Sequence, residues 1–488
     1  MDTYSTATLY INGKWVEADR GASFEVTDPS SGQVIGVAAD AGTAETERAI
    51  AAASDAFPNW RAQNAYTRAA ALLRMHELML ERSEDLALLM SLEQGKPLRA
   101  ARNEIRYAAD FLIWFAEEAK RIYGSTIPSS RTNQRLTVLR QPIGVVAGIT
   151  PWNYPVSMIT RKVAPAIAAG CSIVVKPAEQ TPLCARAVFD IFDEADLPPG
   201  VVNLITTSRP SEVGDAFLRS RAIRKLTFTG STAVGKMLAS RASESMKRVS
   251  LELGGHAPFI VFDDADVEHA AKGAALAKYL NTGQACISPN RIYVQRGSIG
   301  RFVNVLTDRA RRLRPGSGVD ESSTIGPLID MTAVTKMEQQ VADAVGKGAQ
   351  VAIGGERLRE DGLDGGNFFA PTVLTGVSPA MSIYNEETFG PIAPVIAFDT
   401  EDEVVAMAND TEYGLASYVY TKDLARAVRV SEALRFGIVG INDINPTAAA
   451  APFGGLGESG VGREGGAQGI DEYLDVKLVA HVLGDAVD

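Results

Sequence analysis

The sequence predicts an α/β protein whose first large unit is a parallel sheet with helices on both faces. Three observations carry that expectation. Between Gly144 and Ser231 short apolar runs alternate with helical runs, the mark of strand–helix–strand units. The strand-like runs are apolar throughout, as strands buried on both faces must be. Short polar sets close several of them: Thr150-Pro151-Trp152-Asn153, Lys176-Pro177-Ala178-Glu179 and Gly230-Ser231. Sheets of this kind bind ligands beyond the carboxyl ends of their strands, and these residues fall there.

Taken in order, residues 8–40 read as short strands and turns, with a hairpin signal at Asn12-Gly13. Residues 43–56 and 66–90 read as helices, the second from Leu72, Leu73, Met75, Leu78 and Met79 at helical spacing. A third helix, 100–123, stops at Gly124, and its aromatics Tyr107, Phe111, Trp114 and Phe115 are assigned to the core. Residues 135–140 alternate with period two, as a strand exposed on one side does. The buried series follows: strands at 144–149, 172–176, 201–205 and 223–229, and helices at 155–169, 185–194 and 213–219. The helix at 155 begins with a proline in its first turn. A second alternating series has strands at 258–262, 291–294, 350–353, 394–398, 417–420 and 437–441, with helices at 302–313 and 332–347. Glycine clusters at Gly354-Gly355, Gly365-Gly366 and Gly454 to Gly466 are expected to be surface loops. The tail, 473–481, is strand-like. A lone edge strand that far from other sheet segments needs a partner, which points to a second subunit.

At 488 residues the chain has material for about two to four domains and a large core. A net charge of −11 without a concentrated basic stretch argues against a nucleic-acid partner. Three cysteines cannot build a disulfide framework and fit a reducing compartment. The histidines (His76, His256, His269, His481) have no metal-ligand spacing, so no metal is expected. Met1-Asp2-Thr3-Tyr4-Ser5 lacks the basic and apolar regions of a secretory signal. The apolar runs break well short of the roughly 18 residues that read as a membrane span. A soluble cytoplasmic protein without a membrane partner is the expectation.

Chemistry centres on Asn281-Thr282-Gly283-Gln284-Ala285-Cys286-Ile287-Ser288. Cys171 reads as a small residue opening a buried strand and Cys184 as part of a helix, whereas Cys286 alone lies in a polar, glycine-containing segment. Glu252, between Leu251 and Leu253, is a carboxyl whose pKa burial can raise, as suits a general base near neutral pH; the plainer alternative is a solvated strand-end acid. Glu179 is either an exposed helix-entry acid or, with Lys176, a ligand for the hydroxyls of an adenosine ribose. A carboxylate there repels a 2′-phosphate and favours NAD over NADP. Gly230-Ser-Thr-Ala-Val-Gly235-Lys236-Met237 nearly matches a P-loop, but Met237 stands where a magnesium-binding hydroxyl is required. Its strand–Gly-Ser–helix form still suits a phosphate. Gly455-Leu-Gly457-Glu-Ser-Gly460 fits G-x-G-x-x-G formally, but without a preceding strand it is assigned to a surface loop.

Together these motifs make the chain resemble the aldehyde dehydrogenase superfamily, and within it the succinate-semialdehyde dehydrogenases. The resemblance runs from Leu9-Tyr-Ile-Asn-Gly-Lys-Trp15 to Gly462-Arg463-Glu464-Gly465. It rests on Ile149-Thr-Pro-Trp-Asn-Tyr-Pro155, Val175-Lys-Pro-Ala-Glu179, Phe228-Thr-Gly-Ser-Thr232, Leu251-Glu-Leu-Gly-Gly255, Gly283-Gln-Ala-Cys286 and Glu386-Glu-Thr-Phe-Gly-Pro391. It implies Cys286 as nucleophile, Asn153 and the Cys286 N–H as oxyanion hole, and Glu252 as the base for thioester hydrolysis. Glu464 is implied as an outer acid in a proton path. Cofactor contacts are implied at Thr150, Pro151, Trp152, Lys176, Glu179, Gly230, Ser231, Leu253, Glu387 and Phe389. The implied fold is a Rossmann-type NAD domain (1–122 and 141–254), an α/β catalytic domain (255–458) and a small bridging sheet. That sheet (123–140 and 470–488) is expected to form across subunits of a homodimer or homotetramer.

The same resemblance places Arg161, Thr447 and Phe453 at the substrate. Arg161 matches an arginine with which succinate-semialdehyde dehydrogenases pair a distal carboxylate; a structural salt bridge is the alternative. Their second arginine, six residues before the nucleophile, is here Leu280, and their serine loop is replaced by Asn445-Pro-Thr-Ala-Ala-Ala-Ala-Pro452. A longer dicarboxylic semialdehyde or a neutral aldehyde is therefore the alternative substrate. Retention of Glu252 argues against a CoA-acylating relative, and Cys286 with Glu252 against an inactive one.

Overall fold

The computed structural model describes residues 5–484. The N-terminal segment Met1–Tyr4, which carries most of the stretch without a secretory signal, and the last four residues of the expected bridging tail lie outside it.

Five strands form the parallel centre of the first sheet, in spatial order Arg248–Glu252, Ile223–Thr229, Val145–Ile149, Ser172–Lys176 and Val202–Leu204. The order reverses between Val145–Ile149 and Ile223–Thr229, so the crevice beyond their carboxyl ends is a topological switch point. Asn153 follows the first of these strands and Gly230-Ser231 the second. The hairpin Leu9–Ile11 and Lys14–Val16 extends one edge antiparallel, as Asn12-Gly13 predicts. At the other edge Gly460–Val461 pairs antiparallel with Leu251 and Glu252.

That last pairing corrects the reading of Gly454 to Gly466 as a surface loop. Ser459 is fully buried; its Oγ donates to Gly254 O at 2.7 Å and accepts from Gly414 N at 3.0 Å. Gly460, with φ +128°, approaches Leu251 so closely that a Cβ there would stand 1.9 Å from the Leu251 carbonyl oxygen. Glycine at 460 is thus explained by backbone pairing, and no dinucleotide turn is involved.

The second sheet has seven strands, ordered Gln350–Ile353, Thr372–Thr375, Ile392–Phe398, Pro289–Gln295, Ala257–Val261, Ala416–Tyr420 and Ile438–Ile441. All neighbours are parallel except the Gln350–Ile353 edge. Helices cover both sheets, including Val267–Tyr279, Glu401–Asn409 and Leu424–Ala433, which the sequence reading does not mark. These are alanine-rich or heavily charged, so their apolar stripe is narrow.

The expected single helix over 66–90 is two, Ala65–Glu81 and Ser83–Gln94, broken at Arg82 (φ −100°, ψ 15°). Both helices pack on Leu98–Ala119 and Pro182–Glu194, and the first also packs on Ser157–Ala169. The tail is also corrected. Leu474–Val482 pairs antiparallel over nine residues with Gln134–Pro142 of the same chain, and Ser125–Ile127 completes a three-stranded sheet. The sheet therefore assembles within one chain and needs no second copy to form. Val476 and Leu478 on its outer strand stay 73% and 61% exposed.

Candidate active site

The site lies where the carboxyl edge of the first sheet meets the amino edge of the second. Glu252 ends a strand of the first sheet, Gly254-Gly255 crosses over, and Cys286 stands just before the strand Pro289–Gln295. Cys286 is half-buried, while Glu252 and Asn153 are each 3% exposed. The Cys286 thiol donates to Glu252 Oε2 at 3.9 Å, a long contact that a sulfur tolerates. Asn281 and Thr282 hold left-handed backbone (φ 48° and 58°), which turns the segment so that its cysteine faces the first sheet. Asn153 Nδ2 donates to Gln284 O at 3.0 Å, tying the loop after the switch-point strand to the cysteine segment.

Electrostatics follow from burial. Loss of water pushes the Glu252 carboxyl up to about 8, Glu464 adding to the rise and Arg161 opposing it. Burial, with the Glu252 charge second, also pushes the Cys286 thiol well above its usual value. Both groups thus hold their protons more tightly than they would in water, with the carboxyl able to ionise near physiological pH. Glu464 lies deeper. Burial alone would raise it, but Lys162 and Arg161 outweigh that and hold its carboxyl below the usual range.

Arg161 is 2% exposed on the apolar helix Ser157–Ala169. Its Nε stands 3.0 Å from Glu464 Oε2, close enough for charge pairing but without hydrogen-bond alignment. The guanidinium lies 4.1 Å over the Phe453 ring and 5.4 Å from that of Phe111. Its Nη2 has no hydrogen-bond partner among the described residues. Arg161 is thus salt-bridged, as the structural alternative expects, and keeps one donor without a hydrogen-bond partner among the described residues. Phe111, assigned to the core, is core and arginine-facing at once. Thr447 is half-buried in the irregular segment after Ile438–Ile441 and is not among the partners of Arg161. Leu280, at the second-arginine position, is 47% exposed.

On the switch-point side the residues suit a dinucleotide. Ser231 caps the helix Thr232–Ser243 without a side-chain hydrogen bond to its first turn, so those N–H groups remain available to a pyrophosphate. A Cβ at Gly230 would meet the Phe228 ring at 2.5 Å, which keeps this turn open. Lys176, buried at its strand end, donates to Glu179 Oε1 at 2.8 Å, giving a donor–acceptor pair fit for a ribose diol. Thr150 Oγ1 is buried without a hydrogen-bond partner among the described residues. Pro151 leads to Trp152, whose ring meets Phe389 edge-on at 5.6 Å; Phe389 itself is left-handed (φ 55°). Glu387 Oε1 accepts from Gly255 N at 3.0 Å, and burial pushes this carboxyl up to about 7. Leu253 packs against the helix beside Gly235. Lys236 of the near-miss P-loop pairs with Glu458 at the surface and does not enter this crevice.

Sequence reasoning passes over four residues here. Lys162 Nζ donates to Glu464 Oε1 at 2.5 Å and Thr229 Oγ1 at 2.7 Å. Two adjacent basic residues in an otherwise apolar helix signal it, yet only Arg161 is taken up. Ser459 lies in the discarded glycine loop. Lys96 and Glu104 give no signal, since a lysine between glycine and proline and a glutamate in a helix are common on surfaces. Among the described residues no cluster of three His, Cys, Asp or Glu suits a metal, and no helix is long and apolar enough to cross a membrane.

Two mainly parallel α/β sheets meet at a cysteine, a buried glutamate and a carboxamide, beside a crevice suited to a dinucleotide, an arrangement in keeping with an oxidoreductase. The chain belongs to the aldehyde dehydrogenase family, whose model matches residues 15–479, and so acts on aldehydes. It is 52% identical over 470 residues to a glutarate-semialdehyde dehydrogenase of Pseudomonas putida, covering 96% of each chain. It is 50% identical to an NADP(+) succinate-semialdehyde dehydrogenase of Escherichia coli, again covering 96% of each. The crystal structure of a succinate-semialdehyde dehydrogenase from Burkholderia pseudomallei superimposes with a TM-score of 0.96 at 48% identity, covering 99% of each chain.

Proposed function

We propose that this enzyme oxidises a semialdehyde with a distal carboxylate, succinate semialdehyde, to the dicarboxylic acid with NAD⁺. The observation that carries the substrate class is Arg161, a buried guanidinium held over Phe453, its Nη2 without a hydrogen-bond partner among the described residues and its charge acting on Cys286 and Glu252. A buried cation with a free donor is costly unless an anion completes it. Glutarate semialdehyde, one methylene longer, is the second reading. Leu280 favours it, because an apolar side chain in place of a second arginine leaves room for a longer chain and one clamp.

In this reading residues 1–122 and 141–254 hold the cofactor, 255–458 carry catalysis, and 123–140 with 470–488 bridge subunits of a soluble, cytoplasmic homo-oligomer. Lys176 and Glu179 hold the adenosine ribose, Gly230 and Ser231 the pyrophosphate, and Glu387 and Phe389 the nicotinamide end, with Thr150, Pro151, Trp152 and Leu253 lining the path. Glu179 selects against a 2′-phosphate, hence NAD although one relative is named for NADP(+). When bound, the dinucleotide supplies the acceptor for the aldehyde hydride. Glu252 takes the Cys286 proton as Sγ bonds to the aldehyde carbon, and the oxygen gains negative charge. Asn153 Nδ2 and the Cys286 N–H stabilise that oxygen; losing one such donor typically costs about 3–4 kcal/mol in the barrier. Once the hydride has left, Cys286 carries the acyl group as a thioester. Glu252 then draws a proton from the attacking water, the acid forms, and the sulfur departs and is reprotonated. Glu464, with Lys162, receives protons from Glu252 on the way out.

The test is kcat/KM with NAD⁺ for succinate semialdehyde, glutarate semialdehyde and butyraldehyde, in wild type and Arg161→Ala. A charge-assisted bond of about 2 kcal/mol predicts a loss near 30-fold for the semialdehydes and little for butyraldehyde. Equal treatment of all three by wild type would refute the anionic substrate.

A further inference from the structure

Behind Asn153 lies an ion pair that the chemistry above does not use. Lys96 and Glu104 have side-chain exposures of 1% and 0%, and Lys96 Nζ donates to Glu104 Oε2 at 2.5 Å. Replacing such a pair by apolar side chains of similar volume is often neutral or stabilising, so stability does not account for it. Its remaining bonds do. Lys96 Nζ also donates to Asn153 O at 2.7 Å and sits 4.2 Å over the Tyr154 ring. Glu104 Oε1 accepts from Val156 N at 3.1 Å and Ser157 N at 3.2 Å, the free donors opening the helix Ser157–Ala169. The stretch from 153 to 157 is thus held by its carbonyl at one end and its N–H groups at the other.

The same carbonyl, Asn153 O, accepts from Asn281 Nδ2 at 2.9 Å in the cysteine segment. Lys96 stands between two helix ends. Gly95 ends the helix Ser83–Gln94 in left-handed conformation (φ 88°), Pro97 precedes the helix Leu98–Ala119, and Leu98 N donates to Gly318 O at 2.9 Å. The anchor therefore hangs on two helix ends and a loop of the second unit.

We infer that Lys96 and Glu104 are positioning residues for the oxyanion hole: they fix the Asn153 backbone so that its side-chain amide meets the oxygen of the aldehyde bound to Cys286. The inference rests on the oxyanion role proposed for Asn153. A main chain freed of this clamp drifts, and a misplacement of about 1 Å costs on the order of 100-fold in rate.

The experiment is a mutant cycle on the full-length enzyme, reading kcat/KM for the aldehyde and the NAD⁺ dissociation constant by tryptophan fluorescence. Lys96→Met/Glu104→Leu removes both charges together, so neither is left buried alone. Glu104→Gln, nearly isosteric, is the second variant should the first not fold. Each is made in wild type and in Asn153→Ala. Expected is a loss of about 30–100-fold in kcat/KM in wild type, less than about threefold in Asn153→Ala, and an unchanged NAD⁺ dissociation constant. Undiminished kcat/KM, or the same factor lost in both backgrounds, overturns the inference. Full activity of Asn153→Ala itself would refute the oxyanion role and leave the positioning without an object.

Discussion

Exchanging Glu252 for glutamine tests the buried base on two quantities that move in opposite directions. Lifting this carboxyl from 4.5 to about 8 corresponds to roughly 5 kcal/mol against ionisation in the folded protein. The folded-state pKa is raised, so the stability linked to the proton is fully present below about 4.5 and is lost as pH rises through about 8. A neutral carboxamide at this position carries no such penalty. The Tm of Glu252→Gln should therefore match or fall below wild type near pH 5 and exceed it increasingly towards pH 8, by several degrees. Turnover should fall by about 10²–10⁴-fold, the range for a lost general base. The first turnover of NADH formation should slow as well, because the same carboxylate takes the Cys286 proton before it serves thioester hydrolysis. Differential scanning fluorimetry across pH and stopped-flow absorbance of NADH give both readings. A Tm difference that is the same at pH 5 and pH 8 would refute the burial argument, and turnover within threefold of wild type would remove Glu252 as the base.

Glu179→Ser takes away the carboxylate beside Lys176 and should shift the NAD⁺/NADP⁺ ratio of kcat/KM towards NADP⁺ by at least about tenfold; an unchanged ratio contradicts the ribose role. Val476→Lys/Leu478→Lys places two charges on the exposed outer strand of the three-stranded sheet. Sedimentation velocity should show wild type as a dimer or tetramer and the variant as a smaller species, whereas a monomeric wild type would remove the bridging role.

The parallel sheets are legible in the sequence because strands buried on both faces are written as unbroken apolar runs. Ser172–Lys176 and Ile223–Thr229 read with their observed limits. Helices whose burial is carried by alanine, such as Val267–Tyr279, leave no such mark. The break at Arg82 is hidden because both flanking helices bury apolar residues and pack on the same neighbours, so no change of pattern marks it. In the site, residues on contiguous motifs can be found: Asn153, Lys176, Glu252, Cys286 and Glu387. Those recruited singly from far away cannot. Ser459 reaches Gly254 from 205 positions downstream, and Lys96 meets Asn153 across 57. No local pattern can announce a contact whose two halves are set by topology.

The antiparallel pairing of Gly460-Val461 with Leu251-Glu252 has a consequence for synthesis. The strand bearing Glu252 is made about two hundred residues before the segment that seals its edge. At roughly 5–20 residues per second the ribosome leaves that edge open for about 10–40 s, with unpaired backbone groups beside Glu252. During that interval the glutamate has its strand but not the buried surroundings that raise its pKa. A chain cut short before Gly460 would keep every residue of the parallel centre and still present Glu252 to water, as an ordinary acid on an unfinished sheet.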